Sequence, residues 1–352
     1  MNETTEMLLD AARRVFERNF DEAACRRAEE GEWLADGWSA IEEFGAPLAL
    51  LSEEDGGFGL AAADAFALIR LAAGAAVPMP IGETMLANWL LAKAGLALAG
   101  GPLTVAPVEP GDSLRLVREG DGWRLTGVAR NIPWGGTAGI VAVATAEDGD
   151  RLVLVEPGQA SATAGRNMAN HPRDTIAFDL AVTDDKVAAL PAGLDAQGLL
   201  AAGAALRAAA IAGALERVLT LTVDYANERV QFGRPIGKFQ AVQQNLARLA
   251  GEVAAASGAA ALAAEGFDKD LAPLPIAVAK ARTGEAAGIG ASIAHQVIGA
   301  IGFTREHALN TLTRPLWSWR DEFGREAFWN ERVGQAALAS GPRGLWPFLT
   351  QI

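Results

Sequence analysis

The chain has 352 residues, half of them hydrophobic, with a formal net charge of −13 and a pI near 4.8. That length can bury sizeable cores in more than one domain, and that hydrophobic fraction excludes intrinsic disorder. The acidic balance argues against bulk binding to nucleic acid or to an anionic membrane, although an anionic ligand needs only a local basic site.

The first stretch, "MNETTEMLLDAARRVF", is polar and acidic, unlike a secretory signal. Met7, Ala11, Val15 and Phe16 recur at helical spacing, so an N-terminal helical domain is expected over residues 1–100. The Gly-rich "LSEEDGGFGL" interrupts it, and Pro78 and Pro80 break a second helix before "IGETMLANWLLAKAGLALAG" opens a third. Cys25 is the only cysteine, which excludes an intramolecular disulfide and a cysteine-based metal cluster.

Composition changes at "GGPLTVAPVEPGD". The segments "GWRLTGV", "GIVAVAT", "RLVLVEP" and "TIAFDLAV" are rich in valine, threonine and isoleucine, and turn pairs such as Asp121-Gly122 and Asp148-Gly149 separate them. They predict a small β domain over 101–195. From 196 to 352 the chain reads as a helical bundle. Ile211, Leu215, Val218, Thr222 and Tyr225 form one stripe, and Phe239, Val242, Leu246, Leu249 and Val253 form the next. A third helix is expected around "IAVAKARTGEAAGIGASIAHQVIGAIGF" and a fourth from "REHALNTLTRPLW". Apolar runs such as "AALRAAAIAGALERVL" are interrupted by Arg207, Glu216 and Arg217, so no membrane span is predicted. His171, His295 and His307 lack zinc-ligand spacing, so no metal is expected. The expectation is a soluble cytoplasmic α+β protein.

The break in the bundle is unusual. "YANERVQFGRPIGKFQAVQ" stops a helix on Arg229-Val230-Gln231-Phe232-Gly233 and restarts at Phe239-Gln240. A plain helical hairpin needs a polar turn and a glycine. It has no need of an arginine, a glutamine and a phenylalanine gathered around that glycine.

This stretch resembles the acyl-CoA dehydrogenase family, whose members carry an Arg-x-x-Phe-Gly turn followed by a glutamine, here Arg229, Phe232, Gly233 and Gln240. "HQVIGAIGFTRE" is similar to the family's Gln-x-x-Gly-Gly-x-Gly-Phe segment through Gln296, Gly299, Gly302 and Phe303, with Ala300 replacing the second glycine. "LLSEEDGGFGL" resembles a family stretch of the N-terminal domain. The resemblance implies the family's three-part fold, FAD, an acyl-CoA substrate, and electron transfer to an electron-transfer flavoprotein. It also implies that Arg229, Gln231, Phe232, Gly233, Gln240, Gln296 and Gly299 meet the flavin of a neighbouring subunit. Arg229 would pair with the pyrophosphate through its planar donor fork, and the glutamines would donate hydrogen bonds. Taken singly, Arg229 could equally cap the carbonyl end of a helix and Gly233 could be an ordinary turn glycine.

Three departures from the family pattern stand out. Only "VEPGDS", with Glu109, Pro110 and Gly111, remains of the threonine-led segment that opens the β domain in family members. In "GVARNIPWGG", Asn131 falls in the slot of a flavin-side tryptophan and Trp134 follows three residues later; Trp134 fits either beside the flavin or in the β core. The catalytic glutamate is displaced. Counting the family's spacing from Gln296 reaches Phe323, so Glu322 is the first candidate base and Asp321 the second. The alternative family slot on an earlier helix falls at Gly203, with no carboxylate nearby. A dehydrogenase needs such a base to take the α proton as hydride leaves the β carbon. The competing reading pairs Asp321 and Glu322 with Arg314, Arg320 or Arg325 at the surface. The short chain and "WRDEFG" resemble short subunits that pair with a longer acyl-CoA dehydrogenase subunit in α2β2 complexes acting on bulky acyl-CoAs. The expected assembly is that heterotetramer or a homo-oligomer. The alternative to an active dehydrogenase is a degenerate subunit that completes a partner's FAD site, and a different flavin reaction on the same fold is a third reading.

Overall fold

A computed structural model describes residues 3–191 and 193–350. The chain clusters into two units, Met1–Leu68 with Pro78–Gly203, and Ile69–Val77 with Ala204–Ile352.

The first unit begins with short helices whose ends are written in the sequence. Helix α1 spans Glu3–Asn19, α2 Glu22–Glu30 and α3 Ala35–Phe44. Asp21 caps α2 by accepting from the Ala24 backbone N–H at 2.7 Å, and Gly31 closes it in the left-handed region at φ 106°. The buried face of α1 carries Ala12 and Phe16 and continues to Phe20, whereas Met7 is 68% exposed. The expected stripe through Met7 and Ala11 is therefore out of phase by one residue, because Ala12, four before Phe16, follows the buried face. The glycine-rich "LSEEDGGFGL" folds back on itself before α4 (Ala62–Gly74). A Cβ on Gly57 would lie 2.5 Å from the Leu51 carbonyl and 2.6 Å from that of Leu48, so only glycine fits. Helix α5, Ile81–Lys93, is buried on nearly every side. Its Thr84 hydroxyl donates to the Leu103 carbonyl at 3.0 Å, joining α5 to the first strand.

The β part of this unit is one mixed sheet. Its strands are β1 (Leu103–Ala106), β2 (Ser113–Glu119), β3 (Gly122–Pro133), β4 (Gly139–Ala146), β5 (Gly149–Val155), β6 (Ser161–Thr163), β7 (Arg173–Val182) and β8 (Val187–Ala189). The order is β6-β7-β3-β2-β4-β5-β8, with β1 parallel to β4 off that path. The four segments expected as strands fall in β3, β4, β5 and β7. The short β1, β6 and β8 lack the length for a periodic signal.

In the second unit α6 (Ala196–Glu228, from Ala204 on), α7 (Gln240–Asp268), α8 (Pro273–Ile298), α9 (Leu309–Trp319) and α10 (Glu326–Thr350) form the helical part. The stripe Ile211, Leu215, Val218 and Thr222 is buried, as are Leu249 and Val253 of α7. Small residues between them let α7 and α8 pack closely along their length. Helices α6 and α7 are long and apolar enough to cross a membrane by length and composition. The most apolar window of α6 is wholly buried inside the protein, and that of α7 is one-third buried. The helical N-terminus, central sheet and helical C-terminus together give the α+β architecture expected from the sequence.

Candidate functional site

The break after α6 is a β-hairpin. Strands β9 (Val230–Gln231) and β10 (Arg234–Pro235) pair antiparallel, with Gln231 opposite Arg234. Phe232 and Gly233 form the two-residue loop with φ of 52° and 78°, the pattern of a type I′ turn. Glycine is at home there, but phenylalanine is not, since its Cβ opposes the left-handed region. The Phe232 side chain is also 92% exposed. Its ring meets Phe239 edge-on at 6.2 Å, and the Arg234 guanidinium lies 4.2 Å from the Phe239 ring centroid. A bulky apolar residue in a disfavoured conformation, displayed to solvent, points to a surface that something else covers.

Arg229 lies at the base of this hairpin. Its N–H donates to Tyr225 and its carbonyl accepts from Ile236, both at 2.8 Å, which fixes the backbone on either side of the turn. The guanidinium is exposed and has no ion pair among the described residues. Gln231 and Gln240, the latter opening α7, are exposed as well; the Gln231 amide donates to the Val230 carbonyl at 2.8 Å.

The second motif closes α8. Gln296 is exposed in the last turn and, with Asn245, Arg248, Gly288 and Ser292, lines a groove of about 420 Å³. Gly299 ends the helix at φ 79°, ψ −157°, a region open essentially only to glycine, and the space a Cβ would enter is empty. Gly302 serves a different purpose. A Cβ there would meet Leu309 at 3.0 Å and Ile298 at 3.2 Å, so this glycine packs the chain against itself. Phe303 is exposed and stacks on His295 at 3.9 Å.

In the acidic segment after α9, Glu322 is largely buried. Glu322 Oε2 accepts from Arg207 Nε of α6 at 2.7 Å, with side-chain exposures of only 12% and 6%. Arg207 also lies 5.2 Å from the Phe323 ring centroid. Arg320 pairs instead with Glu326 at 2.6 Å, and Asp321 is exposed. Lys280 of α8, fully buried, donates from Nζ to the carbonyls of Arg320 at 2.6 Å and Gly324 at 3.0 Å. Burial pushes this lysine down to about 7, against the opposing pull of Glu322. The turn therefore rests on two buried cations from two helices. In the sequence each is only a charge inside an otherwise apolar helical run.

In the other unit, Trp134 is buried at φ 50°. The Arg173 guanidinium lies 5.1 Å from its ring and His171 5.7 Å away. Asn131, also left-handed at φ 56°, sits in the register shift between Ala129 and Ile132 and donates to Glu109 at 2.9 Å.

The model of the acyl-CoA dehydrogenase C-terminal domain matches residues 194–318. The acyl-CoA dehydrogenase IpdE2 of Mycolicibacterium smegmatis is 31% identical over 312 residues, covering 87% of this chain and 90% of that protein. Among solved structures, the ChsE4-ChsE5 complex from Mycobacterium tuberculosis superposes with a TM-score of 0.86 at 23% identity, over 97% of this chain and 99% of that one. Butyryl-CoA dehydrogenase from Megasphaera elsdenii superposes with a TM-score of 0.84 at 20% identity, over 96% and 99%.

Proposed function

Because the chain belongs to the acyl-CoA dehydrogenase family, we propose that it carries out FAD-dependent α,β-dehydrogenation of an acyl-CoA thioester and passes the electrons to an electron-transfer flavoprotein. The observation that carries this reading is the hairpin, where Arg229 has no ion pair among the described residues and Phe232 is exposed in a left-handed conformation.

The residues present fit a dinucleotide. Arg229 offers a planar fork to a pyrophosphate, and Gln240 and Gln296 offer exposed amides. The open space at Gly233 and Gly299 leaves backbone free for close approach. Phe232 and Gln231 would cover the group from the hairpin. When bound, FAD supplies the hydride acceptor. Glu322 is assigned as the group that takes the α proton, with Asp321 as the second choice: the α C–H bond breaks, a carboxyl O–H bond forms, and the freed electron pair becomes the α,β double bond as hydride leaves the β carbon.

A second reading is favoured by one observation. Glu322 is already held by Arg207, so this chain could serve as a supporting subunit whose hairpin completes the FAD site of a longer partner. One spectrum separates the two. The purified chain should be yellow and bleach with an acyl-CoA if it is the active dehydrogenase. A colourless chain whose yellow complex with a co-expressed partner bleaches just as fast when Glu322 is replaced by Gln would overturn that and establish the supporting role.

A further inference from the structure

We infer that Arg207 is a positioning residue that holds Glu322 in its ionised, proton-accepting form against burial that favours the neutral acid. The role of that proton acceptor rests on the dehydrogenase reading; the hold itself rests on geometry alone.

A carboxyl group with 12% of its side chain exposed and no partner favours the neutral acid, because desolvation penalises the charge. A neutral acid cannot accept the α proton. The 2.7 Å contact from Arg207 supplies a charge that is permanent, since guanidinium does not deprotonate in proteins. The turn carrying Glu322 is shaped to make this contact. Phe323 and Gly324 are both left-handed, at φ 52° and 89°, and the phenylalanine is strained there. Three carbonyls of the turn are pinned by buried donors. Lys280 takes those of Arg320 and Gly324, and Trp329 Nε1 takes those of Phe323 and Gly324 at 3.0 and 3.1 Å. The Phe323 ring in turn lies beside the Arg207 guanidinium. A strained conformation persists only where its surroundings over-determine it, and here those surroundings fix the segment that carries the carboxylate to the arginine.

The other charged groups facing the pair come from three elements. Lys280 on α8 adds positive charge below about 7, Asp321 and Arg320 lie on the turn itself, and Glu326 on α10 is tied to Arg320. Arg207 keeps its full charge across the neutral range in contact with Glu322.

Infrared difference spectra of the full chain with its flavin, wild type against Glu322→Gln, read the protonation of this one carboxyl. The wild type is expected to show no protonated-carboxyl band from Glu322 at neutral pH. Arg207→Met should show that band at neutral pH. Arg207→Lys should abolish it, and so should the Arg207→Met/Glu322→Gln double variant. In parallel, with butyryl-CoA and octanoyl-CoA as probes, flavin bleaching by Arg207→Met should fall at least tenfold at neutral pH and recover as pH rises, while Arg207→Lys keeps the wild-type profile. A carboxylate that stays ionised at neutral pH in Arg207→Met, or a protonated Glu322 in the wild type, overturns the inference. If Arg207→Met does not fold, Arg207→Gln is read in its place, and a Glu322 still ionised there overturns the inference. If neither probe bleaches the wild-type flavin, the dehydrogenase reading fails for those acyl groups, and the infrared result still decides what Arg207 does.

Discussion

Arg229 follows α6 with no ion pair among the described residues, and that is the basis for the first prediction at the scale of single residues. A charge-assisted contact to a phosphate contributes about 1.5–3 kcal/mol, which corresponds to roughly tenfold to a hundredfold in affinity. Arg229→Ala should lower flavin retention by that factor without unfolding the bundle, because the side chain is exposed. Arg229→Lys should recover only part of it, since an ammonium cannot reproduce the fork. Equal flavin content in wild type and Arg229→Ala, measured by absorbance after gel filtration, would contradict the assignment. The second prediction concerns the base. Glu322→Gln keeps size and hydrogen bonding to Arg207 but cannot take a proton, so flavin bleaching by an acyl-CoA should slow by at least ~10²-fold with flavin content unchanged. Asp321→Asn should be mild, because that side chain faces solvent. The reverse ranking in stopped-flow traces would move the base to Asp321.

Two elements carry strain or buried charge that a stability measurement can read. In the β9–β10 hairpin, Phe232 adopts a left-handed conformation that costs a non-glycine residue roughly 1–2 kcal/mol, and asparagine tolerates it better. Phe232→Asn should therefore leave the chain as stable as the wild type or up to about 1 kcal/mol more stable, yet lower its flavin retention. A loss of both, seen together in denaturant melts and absorbance, would mean that the ring serves folding instead. In the turn after α9, Lys280 carries a pKa near 7 in the folded chain, below its ordinary value of 10.5. Between those two values the unfolded chain binds the extra proton, so this group makes stability rise with pH across that window. Its penalty is full below 7 and gone above 10.5. Lys280→Met should flatten the rise. It should also destabilise the chain most at the alkaline end, where the wild type keeps both carbonyl contacts and no longer pays for burying a charge. An unchanged pH slope of the unfolding midpoint would show that Lys280 is not the group responsible.

For the molecule as a whole, the exposed apolar side chains of the second unit set the expectation. Phe232, Phe303, Leu338 and Trp346 are all displayed to solvent, and α7 leaves most of its apolar window uncovered. Such surfaces usually mark association. The chain should therefore form an oligomer, either with itself or with a longer relative, and should hold flavin only in that state. Light scattering that finds a stable monomer with bound FAD would refute this.

The sequence determined the element types and their order, because hydrophobic period, β-branched content and turn residues act locally. The stripe from Ile211 to Thr222 is buried as its spacing requires, and "GIVAVAT" is a strand for the same kind of reason. The motif around Arg229 also marked the place where the bundle breaks, although the hairpin there was not legible, since two strands of two residues carry no period. Met7 shows the limit even within a helix: several nearby residues satisfy the spacing, and only packing selects the buried one. The Arg207–Glu322 contact was decided entirely by tertiary structure. Its partners lie 115 positions apart, and the register of Glu322 depends on two left-handed residues and on donors from Lys280 and Trp329. Local propensity acts over a few residues, whereas the pairing of buried charges is set by which helices meet, and that is fixed only when the whole core closes.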